Sequence, residues 1–77
     1  MKSHKEFKPS LEVIGQRIYQ FRILKNLTTK QIAPMISLTP EAYRNIEKGE
    51  SDPSITTFML ICKALKIDFS ELIKQAV

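Results

Sequence analysis

Cysteine, histidine and glycine are scarce in this chain, and each scarcity removes a class of function. The single cysteine, Cys62, leaves no intramolecular disulfide, and a lone thiol suits a reducing, cytosolic compartment. With one histidine, His4, the chain falls short of the four ligands of a structural zinc ion, so neither a metal site nor a cofactor is expected. The two glycines, Gly15 and Gly49, lie too far apart to build a glycine-rich phosphate loop. No apolar run approaches the roughly 20 residues that cross a bilayer. The N-terminal stretch MKSHKEFKPS is basic but lacks the apolar core of a secretory signal. The carboxylates are scattered over expected helix surfaces and caps, which leaves no catalytic constellation. The expectation is a soluble, cytoplasmic protein that is not an enzyme, with no membrane contact and no small-molecule ligand.

What is present is short and basic. Seventy-seven residues make one domain, with a core thin enough to need tight helix packing or a partner subunit. Twelve Lys and Arg against eight Asp and Glu give a net charge of +4, which favours a polyanionic partner.

Residues 1–9 read as a flexible basic arm, carrying Lys2, Lys5 and Lys8 and ending at Pro9; residues 10–77 read as the domain. Ser10 is an N-cap signal for a first helix over about 11–25, whose Leu11, Ile14, Ile18 and Phe21 form one apolar stripe. Asn26 tolerates the left-handed conformation that ends a helix. Thr28 caps a short second helix over about 29–36 with Ile32, Ala33 and Ile36 inward. Thr39-Pro40 opens a third, carrying Tyr43 and Ile46 inward and stopping at Gly49. Beyond the polar loop GESDPS, Ser54 caps a fourth helix over about 55–65, which buries Phe58, Ile61, Cys62 and Leu65. Asp68 to Glu71 has capping-box spacing and starts a fifth helix carrying Phe69, Leu72 and Ile73. Five short helices and no convincing strand predict an all-α, compact five-helix bundle.

The second and third helices, separated by three or four residues, have the layout of a helix-turn-helix. So short a break prevents antiparallel packing, so the third helix projects and is free to enter a major groove. From Ile14 to Ile73 the chain resembles the phage repressor and Cro family of helix-turn-helix domains, the XRE-like transcriptional regulators with a lambda-repressor-like fold. The resemblance rests on IGQRI at 14–18, Arg22, LT at 27–28, IA at 32–33, IEKGE at 46–50, DPS at 52–54 and KALKIDFSELI at 63–73.

That resemblance implies a structural ion pair between Arg22 and Glu47; the alternative role for Arg22 is a phosphate contact. It also implies that Pro40, Glu41, Arg44 and Asn45 face base edges. The Asn45 carboxamide suits adenine N6 and N7, and Arg44 suits either guanine or a phosphate. Glu41 could accept from cytosine N4 or simply complement the helix dipole. Pro40 offers apolar contact to a thymine methyl, or serves only to start the helix. Phosphate contacts would fall to Thr28, Thr29, Lys30, Thr39 and Lys48, with helix N-terminal amides adding to them.

The implied function is a sequence-specific regulator, a repressor reading a palindromic operator in double-stranded DNA as a homodimer. The C-terminal helix region, with Ile67, Ile73 and Val77, is the expected dimer contact. A restriction-modification controller would have the same fold and length. The alternative from another class is a protein-interaction module, such as an antitoxin component, with weak or no DNA binding. Three departures from the family pattern bear on that choice: Pro34 inside the second helix, Ser37 where the turn usually has glycine, and an acidic loop with Glu50 and Asp52.

Overall fold

The computed structural model describes residues 10–73 and contains five helices among them: α1 (Leu11–Leu24), α2 (Thr29–Met35), α3 (Pro40–Glu47), α4 (Ile55–Leu65) and α5 (Phe69–Ile73). The arm expected over residues 1–9, and Val77, lie outside the described residues.

Each of the first four helices starts on a hydroxyl. Ser10, Thr28, Thr39 and Ser54 sit in extended backbone and accept from the amides of Val13, Gln31, Ala42 and Thr57. These contacts satisfy donors that a helix start leaves without an internal partner. At α2 the arrangement is reciprocal: the Gln31 side chain accepts from the Thr28 amide at 2.8 Å, completing a capping box. At α5 the Glu71 amide donates to the Asp68 carbonyl at 2.9 Å.

The same four helices end alike. Leu27, Leu38, Glu50 and Ile67 donate back to the carbonyls of Arg22, Ala33, Asn45 and Cys62, closing a six-residue turn each time. The residue before each of these donors is left-handed: Asn26 (φ 57°), Ser37 (φ 60°), Gly49 (φ 76°) and Lys66 (φ 59°). Only Gly49 takes this conformation without steric cost; a side chain there costs about 1–2 kcal/mol. Ser37 therefore keeps the turn of a glycine under strain, and the turn is not shifted.

Pro34 does not end α2. The helix runs one residue beyond it, with the ring on the exposed side. Pro34 lacks the amide that would reach the Lys30 carbonyl, so within a seven-residue helix a single internal bond is lost.

The core is formed by Ile14 and Ile18 of α1, Ile32 and Ala33 of α2 with its C-cap Ile36, Tyr43 and Ile46 of α3, four residues of α4 (Phe58, Ile61, Cys62, Leu65) and Leu72 of α5. Of the apolar residues expected on the fifth helix, Phe69 and Ile73 are 38% and 37% exposed. A five-residue helix buries one side chain fully, here Leu72; Phe69 instead sets its ring edge-on to Phe58, centroids 5.8 Å apart. Leu11 and Phe21 are half-buried at the margin of the α1 stripe.

Helix α3 contacts both α1 and α2, while α4 and α5 complete the bundle behind them. Gly15 makes the α1–α3 approach possible: a Cβ there would stand 2.4 Å from the Glu47 carbonyl oxygen and 2.5 Å from that of Ile46. One turn away on this seam, a Cβ on Gly49 would meet the Glu12 Cα at 2.7 Å.

Candidate nucleic-acid interface

Helix α3 divides cleanly along its length. Tyr43 and Ile46 point into the core, whereas Glu41, Arg44 and the capping Lys48 are exposed, and Pro40 and Asn45 are half-buried at the boundary. Positions 41, 44, 45 and 48 recur at helical spacing and form one polar outward face.

The inner side of α3 is held by a polar cluster. The Arg22 guanidinium of α1 donates from Nε to Glu47 Oε2 at 2.7 Å and from Nη2 to Oε1 at 3.2 Å. Its third contact, from Nη1 to the Leu27 carbonyl at 2.8 Å, fastens the turn between α1 and α2. Tyr43 Oη donates to the same Glu47 carboxylate. The guanidinium also lies 5.3 Å from the Tyr19 ring centroid. Arg22 is 9% exposed, and every buried polar side-chain atom among the described residues has a partner. Its hydrogen bonds to Glu47 raise the Arg22 pKa above its usual value. Burial, then the hydrogen bond and charge of Glu47, push the Tyr43 phenol well above 10.

The residues expected to meet phosphates gather at the starts of α2 and α3. Thr28 and Thr39 are exposed N-caps whose hydroxyl oxygens accept from helix amides, leaving each hydroxyl hydrogen free to donate elsewhere. Thr29 accepts from Arg44 Nη1 at 3.2 Å, which joins the first turn of α2 to the outer face of α3. Lys30 is exposed on α2, and Lys48 is exposed at the end of α3 beside a groove shared with Glu12, Gln16 and Tyr19 of α1. The expected base-facing and phosphate-facing residues thus lie on two adjoining helices, α2 and α3, joined through Arg44 and Thr29. Glu50 and Asp52 are exposed in the loop beyond.

Sequence reasoning missed three participants. Gln31 was legible as the fourth residue of a T-x-x-Q capping box. Tyr43 was expected only as core; its four-residue spacing to Glu47 on one helix was the signal that the two side chains are neighbours. Gly15 offered the weak signal of a glycine inside a helical pattern, which usually has a packing reason.

No helix among the described residues is long and apolar enough to cross a membrane. A helix-turn-helix family model matches residues 18–72, which include all four helix-ending turns described above. A curated relative, an uncharacterized HTH-type transcriptional regulator from Rickettsia prowazekii (strain Madrid E), is 36% identical over 52 residues, covering 68% of this chain. The chain spans about 40% of that relative's length. Among solved structures, the restriction-modification controller protein C.AhdI from Aeromonas hydrophila is 27% identical with a TM-score of 0.77, over 80% of this chain and 94% of its own. The clp gene regulator ClgR from Corynebacterium glutamicum shares the fold at 23% identity and a TM-score of 0.82, over 86% of this chain and 70% of its own. By the extent of the model match and the geometry of α2 and α3, the chain belongs to the helix-turn-helix family.

Proposed function

We propose that this chain is a sequence-specific DNA-binding transcriptional regulator, a repressor that reads a palindromic operator as a homodimer with α3 in the major groove. The observation that carries this reading is the polar outward face of α3, backed by the Arg22–Glu47–Tyr43 cluster. A reading helix must hold its side chains steady against base edges, and the cluster fixes α3 to α1 without using any outward residue. Asn45 and Arg44 read bases, Glu41 and Pro40 flank them, and Thr28, Thr29, Lys30, Thr39 and Lys48 hold phosphates. Arg44 arrives in position already tied to Thr29.

The homodimer reading is supported by apolar surface that one subunit leaves open near the end of α5. Ile73 and Phe69 are exposed on α5, and a two-fold pair of subunits would cover them. Such a dimer sets two α3 helices about 34–36 Å apart, one DNA turn, and requires an inverted repeat. Similarity to an HTH-type transcriptional regulator and to a restriction-modification controller protein supports this class of function.

Selection from a randomised duplex pool tests the proposal, with sedimentation run on the selected complex. Enrichment of an inverted repeat bound by two chains is the expected result. A folded protein that enriches no sequence would overturn the proposal and favour a protein-interaction module of the antitoxin kind.

A further inference from the structure

The C-terminal ends of α1, α2 and α4 meet at a groove of about 260 Å³, lined by Lys25, Leu27, Met35, Ala64, Leu65 and Lys66. Its floor is hydrocarbon: Leu65 is fully buried, Leu27 and Ala64 pack half-buried against the core, and Met35 stands 54% exposed above them. Its two charged lining residues are both lysines, and no carboxylate lines it. Pockets that enclose small molecules run to about 300–1,000 Å³, so this groove suits one or two side chains of a polypeptide instead.

Both lysines are placed by helix ends. Lys25 caps α1, and Lys66 itself holds the left-handed turn that closes α4. Glycine would make that turn without strain, so the lysine keeps a cation at the rim at a backbone cost. None of the residues assigned above to DNA lines the groove.

We propose that this groove docks an acidic, amphipathic segment of a partner protein, seating an apolar side chain on the floor and carboxylates on Lys25 and Lys66. Lysines alone would suit a nucleic-acid phosphate equally well. The floor decides between them, because a sugar-phosphate backbone brings no apolar group to cover Met35 and Leu27, whereas an amphipathic helix brings one at every turn. Met35 adds a flexible, polarizable side chain that adapts to what it covers. The two rim charges set orientation and exclude basic segments.

The test uses the full chain labelled with nitrogen-15 and a synthetic peptide probe with two leucines four residues apart flanked by glutamates. A control peptide carries glutamine in place of glutamate. Saturable shifts confined to the groove lining, Lys25, Leu27, Met35, Ala64, Leu65 and Lys66, are expected. Affinity should fall about tenfold with the glutamine peptide or with the Lys25→Glu/Lys66→Glu variant. Lys66→Gly should also weaken binding while raising thermal stability, which separates lost charge from lost fold. Binding indifferent to either charge change would overturn the proposal. So would shifts that appear on concentrating the protein alone, which assign the face to a second copy. Charge reversal that weakens operator DNA but not the peptide would assign the lysines to phosphate.

Discussion

Arg22 and Glu47, twenty-five residues apart in sequence, meet side by side through two hydrogen bonds of 2.7 and 3.2 Å, and this pair fixes α3 to α1. Both side chains are about 10% exposed, so solvent screens the pair poorly. Removing one partner leaves the other charge buried. Arg22→Ala should therefore cost about 3–5 kcal/mol in urea unfolding. The double replacement Arg22→Met/Glu47→Leu should cost less than the single change, because no charge is left uncompensated. Additive losses would show that the two residues act independently.

Tyr43 makes stability fall in alkali. Its phenol is held above its ordinary value by burial and by Glu47, so the folded state keeps a proton that the unfolded state releases. The stabilisation is fully present below the unfolded value near pH 10 and is lost as pH rises through the higher folded value. Cys62, also raised by burial, contributes in the same direction from about pH 9. Urea midpoints taken from about pH 8 to pH 12 should decline. Tyr43→Phe should flatten most of that decline, at a cost of about 1 kcal/mol at neutral pH for its lost hydrogen bond.

Ser37 and Lys66 bear side chains in a conformation that glycine takes freely. Ser37→Gly and Lys66→Gly should each stabilise the fold by about 0.5–1 kcal/mol, the relief of strain exceeding the added chain entropy. For a domain of this size the Tm should rise by about 4–8 °C per kcal/mol. Calorimetry showing a lower Tm for both would contradict the assignment of strain to these turns.

Gly15 is the reverse case. Any side chain there collides with backbone oxygens of Ile46 and Glu47, which cannot swing aside as a flexible side chain would. Gly15→Ala should destabilise by about 1–3 kcal/mol and shift α3, so that DNA affinity falls more than stability alone explains. Urea unfolding and DNA titration of the same sample separate the two effects.

Much of this was legible because the local signals agree with the packing. Four hydroxyl residues predicted as caps are caps, and α4 occupies the span its periodicity implied. The Arg22–Glu47 geometry, by contrast, is invisible to local reasoning and entered only through resemblance to a family. Lys66 escaped notice because lysine carries no signal for a left-handed backbone. Periodicity marked Phe69, Leu72 and Ile73 as apolar positions of the fifth helix without separating Leu72, which is buried, from the two that stay exposed. The outward face of α3 is legible as polar, but which side chain meets which base depends on the DNA.

Fluorescence anisotropy of the chain against its selected duplex and a scrambled control, at two salt concentrations, tests most directly whether α3 reads DNA. Binding should be sequence-selective and fall steeply with salt. Asn45→Ala should weaken it by about 1–3 kcal/mol and relax preference at one base pair, while Lys48→Ala weakens all sequences alike. Equal affinity for both duplexes, or an Asn45→Ala variant that discriminates as well as the parent, would contradict the assignment of this face to an operator.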